Sequence, residues 1–146
     1  MIDITINDLA TILGLIIGVS AFVLSILNYL RDKAKVHISL QWDMESLNDN
    51  NLYGIVTISN TGRRPIYISH LSLKLPKSYE NSYLLIRDGL SGQKLMEGDA
   101  PLIFDITHDG MDKYKSDWET IIAQVTDSSG KVWKSKKVKN KPSWAK

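Results

Sequence analysis

Two groups of basic residues have the types and spacing expected of an anion-binding site. Arg63 and Arg64 are adjacent in the stretch NTGRRP, and paired guanidinium groups can form forked hydrogen bonds to phosphate or carboxylate oxygens. Lys134, Lys136 and Lys137 follow one another closely in KVWKSKKV, where ammonium groups could neutralise phosphates. These five side chains are the candidate ligand-binding residues.

The surroundings of these residues leave other interpretations open. Arg64 precedes Pro65, so it could equally serve the turn backbone with its charged group in water. Trp133 and Trp144 interleave with lysines and could stack on bases; alternatively, Trp133 belongs to the core and the lysines form its solvated face.

Residues 131–146 hold seven Lys and no acid, whereas the rest of the chain is net −5. This asymmetry favours anionic partners such as lipid headgroups, nucleic acid or nucleotides, or else a solvated, frayed terminus.

The sequence lacks the residue patterns that predict catalysis or metal binding. It has no cysteine, which excludes disulfides, thiolate metal sites and cysteine nucleophiles. His37, His70 and His108 do not have metal-ligand spacing, and the THDG stretch around His108 lacks a nucleophile motif. There is no G-x-S-x-G, phosphate-binding or dinucleotide motif. We therefore expect no enzymatic activity, no metal and no cofactor.

An apolar segment near the start of the chain predicts a membrane-spanning helix. Residues 9–30 contain no charge, and a helix of that length spans about 33 Å, enough for a hydrocarbon core of about 30 Å. The preceding residues include Asp3 and Asp8 but no Lys or Arg, so the basic region of a secretory signal is missing. The run ends in NYLRDK, which is not a cleavage site. We expect an uncleaved single-pass helix.

Flanking charges predict the orientation of this helix. No basic residue precedes it, whereas Arg31, Lys33 and Lys35 follow it in a basic juxtamembrane linker, residues 31–35. Because basic flanks stay in the cytoplasm, we expect residues 1–8 to be an extracytoplasmic tail of a bacterial inner-membrane protein. Everything from Val36 onward would then be cytoplasmic, with the basic residues near the anionic inner leaflet.

Small and weakly polar residues recur in the apolar segment at intervals of 3, 4, 3, 4 and 3. They are Thr11, Gly14, Gly18, Ala21, Ser25 and Asn28. In lipid, small residues let helix backbones approach closely, and hydroxyl and amide groups can hydrogen-bond across the contact. A period of 3.5 residues keeps such a stripe facing its partner. We expect a homo-oligomer through this helix, although the stripe could also contact a different membrane protein.

The period changes to 2 after the helix, which predicts a β domain over residues 36–139, followed by a basic tail, residues 140–146. Four stretches have the alternation typical of strands: VHISLQW, LYGIVTIS, SYLLIR and PLIFDI. The stretch NDNN is typical of a turn. DSSG lies between TIIAQVT and KVWKSKKV, which predicts a hairpin with Gly130 in its turn. IYISHLSLKL changes the parity of its apolar residues, which predicts a bulge near Ser69 and His70. SGQKLMEGDA is typical of a loop, and THDGMDKYKSDWE of a loop with one helical turn.

These elements predict one N-terminal transmembrane α-helix plus an all-β antiparallel sandwich of immunoglobulin-like type, with about seven strands. A small β-barrel is the alternative.

The layout resembles a widespread group of small bacterial and phage membrane proteins, through NYLRDKAKV after the helix and through ISNTGRRPIYI and VTDSSGKVW in the β domain. More loosely, it is similar in architecture to membrane-anchored effectors of antiviral signalling, including the cyclic-oligoadenylate-gated type of type III CRISPR systems. That resemblance implies a cytoplasmic domain that senses an anionic ligand, such as a nucleotide, and oligomeric helices that respond; it transfers no ligand-contacting residue.

An interaction subunit or phage exclusion protein, whose helix packs on a larger membrane complex, is the alternative function. Duplex DNA is not an expected partner.

Overall fold

The computed structural model describes residues 5–47, 50–87, 90 and 92–146. The chain forms two compact units, Met1–Lys33 and Ala34–Lys146. The second unit extends to Lys146, so the basic residues 140–146 pack as part of the β domain.

The first unit is a single helix, α1, Ile6–Arg31. Thr5 and Asp8 form a capping box: the Thr5 hydroxyl accepts the Asp8 N–H, and the Asp8 carboxylate accepts the Thr5 N–H at 2.9 Å. The predicted tail, residues 1–8, therefore ends in the first turn of the helix, and its first four residues lie outside the described residues. The helix buries no side chain within its unit and is long and apolar enough to cross a membrane.

The second unit contains eight strands in its described residues. They are β1 Val36–Glu45, β2 Leu52–Asn60, β3 Ile66–Lys74, β4 Tyr83–Arg87, β5 Gln93–Leu95, β6 Leu102–Thr107, β7 Ile122–Asp127 and β8 Val132–Lys134. One sheet has the order β1-β2-β6, and the other has the order β4-β3-β7-β8, with β5 also paired to β3. All pairings are antiparallel.

Buried side chains from both sheets form one hydrophobic core. Alternation explains the small sheet, where Ile38, Leu40 and Trp42 point inward and the residues between them do not. The parity change in β3 is confirmed as a bulge, because the β3–β7 register shifts between Ile68 and His70. This extra residue brings both halves of β3 into the same core.

Two strand predictions were wrong in detail. Residues 93–95, predicted as loop, form β5, because their pairing with β3 places Leu95 in the core at 1% exposed. Strand β8 ends at Lys134 and not at residue 138 as predicted. At the next position the Ser135 side-chain hydroxyl, and not a backbone carbonyl, accepts the Ala123 N–H at 3.0 Å.

Other local predictions can be compared directly. The hairpin at DSSG is confirmed, with β7 and β8 paired and Gly130 at φ +82°. The predicted helical turn is a 3₁₀ helix, Asp112–Thr120. The predicted NDNN turn lies partly outside the described residues, as do some residues of the loop before β5.

Trp42 of β1 lies over Gly54 of β2, the neighbouring strand in the same sheet. A Cβ atom at Gly54 would overlap Cζ3 and Cε3 of the indole ring. Gly54 is buried and on the inner face, so β2 has no side chain at the point where β1 places its largest one. The glycine is therefore required by the approach of a neighbouring ring rather than by its backbone angles.

We predict that Gly54→Ala destabilises the β domain by about 1–3 kcal/mol, because the added methyl group overpacks the core against Trp42. In a strand without this overlap, replacing glycine with alanine would increase stability, because alanine loses less backbone entropy on folding. A decrease in the free energy of unfolding would therefore report the overlap with Trp42. Urea denaturation followed by tryptophan fluorescence would measure it. Ser59→Ala, on the outer face of the same strand, is the control and should change little. Equal stability of Gly54→Ala and the parent protein would contradict the packing.

Candidate functional site

A groove of about 620 Å³ separates β1 from the segment that follows β8. It is lined by residues 37–44 of β1 and residues 136–140. Successive side chains of a strand point to opposite faces, so eight consecutive lining residues show that the groove follows the edge of β1. Among the described strands β1 pairs only with β2, and this edge therefore presents backbone N–H and C=O groups to the groove.

The groove is basic. Lys136, Lys137 and Lys139 line it on one side, and all three are exposed. The single acidic residue in the lining is Asp43, whose carboxylate is engaged by Ser143: the backbone N–H lies 3.0 Å from both oxygens, and Ser143 Oγ donates at 2.6 Å. The lining therefore carries net positive charge, which attracts phosphates and carboxylates.

The lysine-bearing segment is held at both of its ends. At one end, the Ser135 N–H donates to the Ala123 carbonyl at 2.8 Å. At the other end, Pro142 is buried and Ser143 is hydrogen-bonded to Asp43, which has φ +60° where the β1–β2 register shifts. Between them, Val138 packs against the core and leaves the neighbouring lysines in solvent. The frayed terminus considered from the sequence is thus not what residues 135–145 form.

The structure brings together some of the predicted ligand-binding residues. Lys136 and Lys137 line the groove, whereas Lys134 is exposed on β8, where it pairs with Gln124. Lys139 and His37 also line the groove and were missed by sequence reasoning. Lys139 belongs to the same basic run and could have been predicted as a ligand-binding residue. No sequence pattern identifies His37 as a groove residue, because its position there depends on how the edges of the two sheets meet.

Arg63 and Arg64 lie elsewhere, exposed in the turn between β2 and β3. The turn is built by Asn60, which is 5% exposed: its amide donates to the Arg64 carbonyl at 2.9 Å and to the Leu95 carbonyl at 3.0 Å. Its side-chain oxygen accepts the Gly62 N–H at 3.0 Å. Strand β3 runs about 20 Å from this turn to the level of Lys134. The five candidate residues therefore belong to two separate basic surfaces.

Trp133 is held by the β7–β8 hairpin and does not offer a free stacking face. Its Nε1–H donates to the Asp127 carboxylate at 3.1 Å, and the Lys131 Nζ lies 3.9 Å from the ring centroid. Burial by itself would raise the pKa of Asp127. Hydrogen bonds from Ser129 Oγ, Trp133 Nε1 and two backbone N–H groups outweigh burial and hold this pKa below its ordinary value.

Trp144 packs in an aromatic cluster with Trp42 and His108. The Trp42 ring makes edge contacts with both, at centroid distances of 5.3 Å to Trp144 and 5.7 Å to His108. Trp42 Nε1, Trp144 Nε1 and His108 Nε2 are buried without a hydrogen-bond partner in the described structure. The predicted loop at His108 is a turn with Gly110 at φ +73°. Within the described residues, no three His, Asp or Glu side chains form a metal-binding group.

The stripe residues of α1 all lie on the exposed helix surface. Gly14 and Gly18 have open space around them, with no atom outside the helix backbone and adjacent residues within 4 Å of an added Cβ. The Thr11 hydroxyl donates to the Asn7 carbonyl at 2.8 Å, which keeps it satisfied in an apolar medium. The small-residue face is therefore open to a second helix.

No protein-family model matches this sequence, and no curated protein is significantly similar to it. The similarity to antiviral effectors therefore stays a prediction from architecture.

We predict that acid destabilises the hairpin through Asp127. A carboxyl with a lowered pKa stabilises the fold fully above its unfolded pKa, near 3.8, and loses that contribution as pH falls through its folded pKa below that value. Asp127→Asn should lower the melting temperature at pH 7 and flatten its decline between about pH 4 and pH 2. Asp105→Asn, on the exposed face of β6, is the matched control. Identical pH profiles of Asp127→Asn and the parent protein would contradict this role.

Proposed function

We propose that the protein is a non-enzymatic, single-pass membrane protein whose β domain binds an anionic ligand in the groove between β1 and residues 136–140. The observation that carries the proposal is the alignment of Lys136, Lys137 and Lys139 along a groove that follows the edge of β1 on which no described strand pairs. Because the groove is elongated, an extended anionic molecule fits it better than a compact ion. An oligonucleotide or a nucleotide second messenger has that chemistry.

The exposed apolar surface of α1 supports membrane insertion. Large apolar side chains from Leu9 to Leu30 are between 42% and 70% exposed, and a bilayer would cover them. Basic residues 31, 33 and 35 support a cytoplasmic β domain, with the first residues of the chain on the other side of a bacterial inner membrane.

The strand order supports an immunoglobulin-like arrangement of the β domain. Sheet β1-β2-β6 corresponds to strands A-B-E, and β4-β3-β7-β8 corresponds to C′-C-F-G. In this correspondence the groove lies between the A and G edge strands of the two sheets. Edge strands are where such domains can accept an extended ligand.

The small-residue face supports self-association of α1, and the short connection couples it to the groove. Lys35 is four residues after Arg31, so a ligand that changes how β domains cluster would also change how their helices meet. Such coupling of ligand binding to helix association would suit a sensor that acts on the membrane in antiviral defence.

A second function is favoured by the strand edge itself. An acidic segment of a partner membrane protein could pair with β1 as an added strand, which would make this chain an accessory subunit.

We predict that the triple change Lys136→Gln, Lys137→Gln and Lys139→Gln weakens ligand binding about ten-fold or more, since it removes charge-assisted hydrogen bonds. The full-length protein in detergent would be titrated with cyclic and linear oligoadenylates and with oligo-glutamate, and the gain in melting temperature measured. Lys77→Gln, Lys94→Gln and Lys115→Gln together remove the same charge outside the groove and should bind normally.

The probes separate the two functions. Stabilisation by an oligoadenylate supports the nucleotide sensor, and stabilisation by oligo-glutamate alone supports the accessory subunit. No stabilisation by either probe, or equal loss in both triple variants, would contradict an anionic ligand in this groove.

We predict that Gly14→Leu with Gly18→Leu disrupts helix association, because bulky side chains prevent close backbone approach. Mass measurement of the detergent-solubilised protein should then show monomers where the parent protein forms oligomers. Leu13→Ile with Ile17→Leu, off the stripe, is the control. A parent protein that co-purifies with a different membrane chain in fixed ratio would assign the stripe to that partner.

A further inference from the structure

We propose that the outer faces of the two sheets bind each other between copies of this chain, with the small sheet of one copy against the larger sheet of the next. The two faces carry opposite charge, and each exposes large apolar side chains. The contact uses neither the groove lysines nor α1, so it does not depend on the proposed function. It assigns a role to Lys134, a candidate residue that does not line the groove.

The outer face of the small sheet is apolar and acidic. Alternate residues of its strands fill the core, so those between them point outward, among them Ile55 and its partner Asp105. Ile103, on the same face, is 62% exposed. A shallow hollow of about 320 Å³ crosses the three strands from Met44 to Asp105, and the exposed Glu45 also lines it. This face therefore offers apolar surface beside two carboxylates.

The outer face of the larger sheet is apolar and basic. One row of outward side chains crosses four strands, from Leu85 on β4 to Lys134 on β8. In the row beside it Tyr83 pairs with Lys74. Leu85 is 56% exposed, and Tyr83 and Val132 are exposed as well. This face therefore offers apolar surface beside two ammonium groups.

These charges favour contact between unlike faces. Two small-sheet faces would bring carboxylates together, and two larger-sheet faces would bring ammonium groups together, so both like pairings are repulsive. Unlike faces place Asp105 and Glu45 opposite lysines and cover apolar surface on both copies. Within the described part of the chain, the side chains of Asp105, Glu45, Lys74 and Lys134 form no hydrogen bond or ion pair, so they are available to a second copy.

A contact between unlike faces can repeat. The two sheets pack on opposite sides of one core, so each copy in a pair keeps one face of the other kind uncovered. Such a heterologous contact builds a ring or an open row of copies rather than a closed two-fold dimer.

The test uses two forms of the full-length protein, each with a single cysteine, since the chain has none of its own. Ile103→Cys marks the small-sheet face, and Leu85→Cys marks the larger-sheet face. The two forms are co-expressed with different affinity tags, solubilised in detergent and treated with a short bismaleimide cross-linker. We expect the mixed product to exceed the statistical ratio several-fold. Lys77→Cys co-expressed with Lys115→Cys, outside both sheets, is the control and should show no such preference.

Charge reversal identifies the contact. In the Leu85→Cys form, Lys74→Glu with Lys134→Glu should lower the mixed product about ten-fold, because two attractive contacts become repulsive. Glu45→Lys with Asp105→Lys in the Ile103→Cys form should restore it, which rules out loss of folding as the cause. The matched control is Lys77→Glu with Lys115→Glu, which should leave the mixed product unchanged. All these substitutions leave α1 intact, so helix association does not explain a loss and a rescue.

Three results would overturn the proposal: a mixed product at the statistical ratio, an unchanged mixed product after the lysine reversal, or no cross-linked product. An excess of either like product would also overturn it and would assign that face to a symmetric contact. None of these results bears on ligand binding in the groove, since every variant keeps the groove lysines.

Discussion

The bulge in β3 is the constraint on which the β domain depends. Ile66 and Ile68 have one parity and Leu71 and Leu73 have the other, yet all four are at most 4% exposed. A regular strand would turn one pair to water, at a cost of about 1.5–3 kcal/mol for each side chain. The extra residue between Ile68 and His70 removes that conflict. Strand β3 can then pair with β4, β5 and β7 and hold the larger sheet together.

Both basic surfaces are positioned by elements that pack on β3. On one side β7 carries β8, whose hairpin is closed by Asp127, and Ser135 ends the ladder so that the chain can leave and follow β1. At the start of β3, Asn60 joins the preceding turn to β5. The lysines and the arginines are thus separated by about the length of one strand.

The fold was predictable from sequence where a local pattern records it. Alternation identified β1, the parity change identified the bulge, and Gly130 identified the hairpin. Strand β5 escaped because it has three residues and its single buried side chain, Leu95, shows no period. The end of β8 escaped because the Ser135 hydroxyl, rather than the next backbone group, receives the Ala123 N–H. These features are set by neighbouring strands and not by local composition.

The candidate site was less predictable than the fold. A basic run indicated Lys136 and Lys137, but the groove exists only because β1 is an edge strand with the run beside it. No local pattern relates Trp42 to Gly54, since the requirement comes from a ring on the adjacent strand. The separation of the arginines from the lysines likewise follows from pairing register.

The hydrogen bonds from Ser143 to Asp43 join residues 100 positions apart. A contact of that span contributes nothing until most of the β domain is in place, because the entropy of closing so long a loop must be overcome first. The hydrogen bonds of Ser143 can therefore form only after residues far apart in the sequence have been brought together. A ligand held between β1 and the lysines would stabilise the contact of Ser143 with Asp43. The amide hydrogen-exchange rates of residues 142–145 would therefore fall when the groove is occupied.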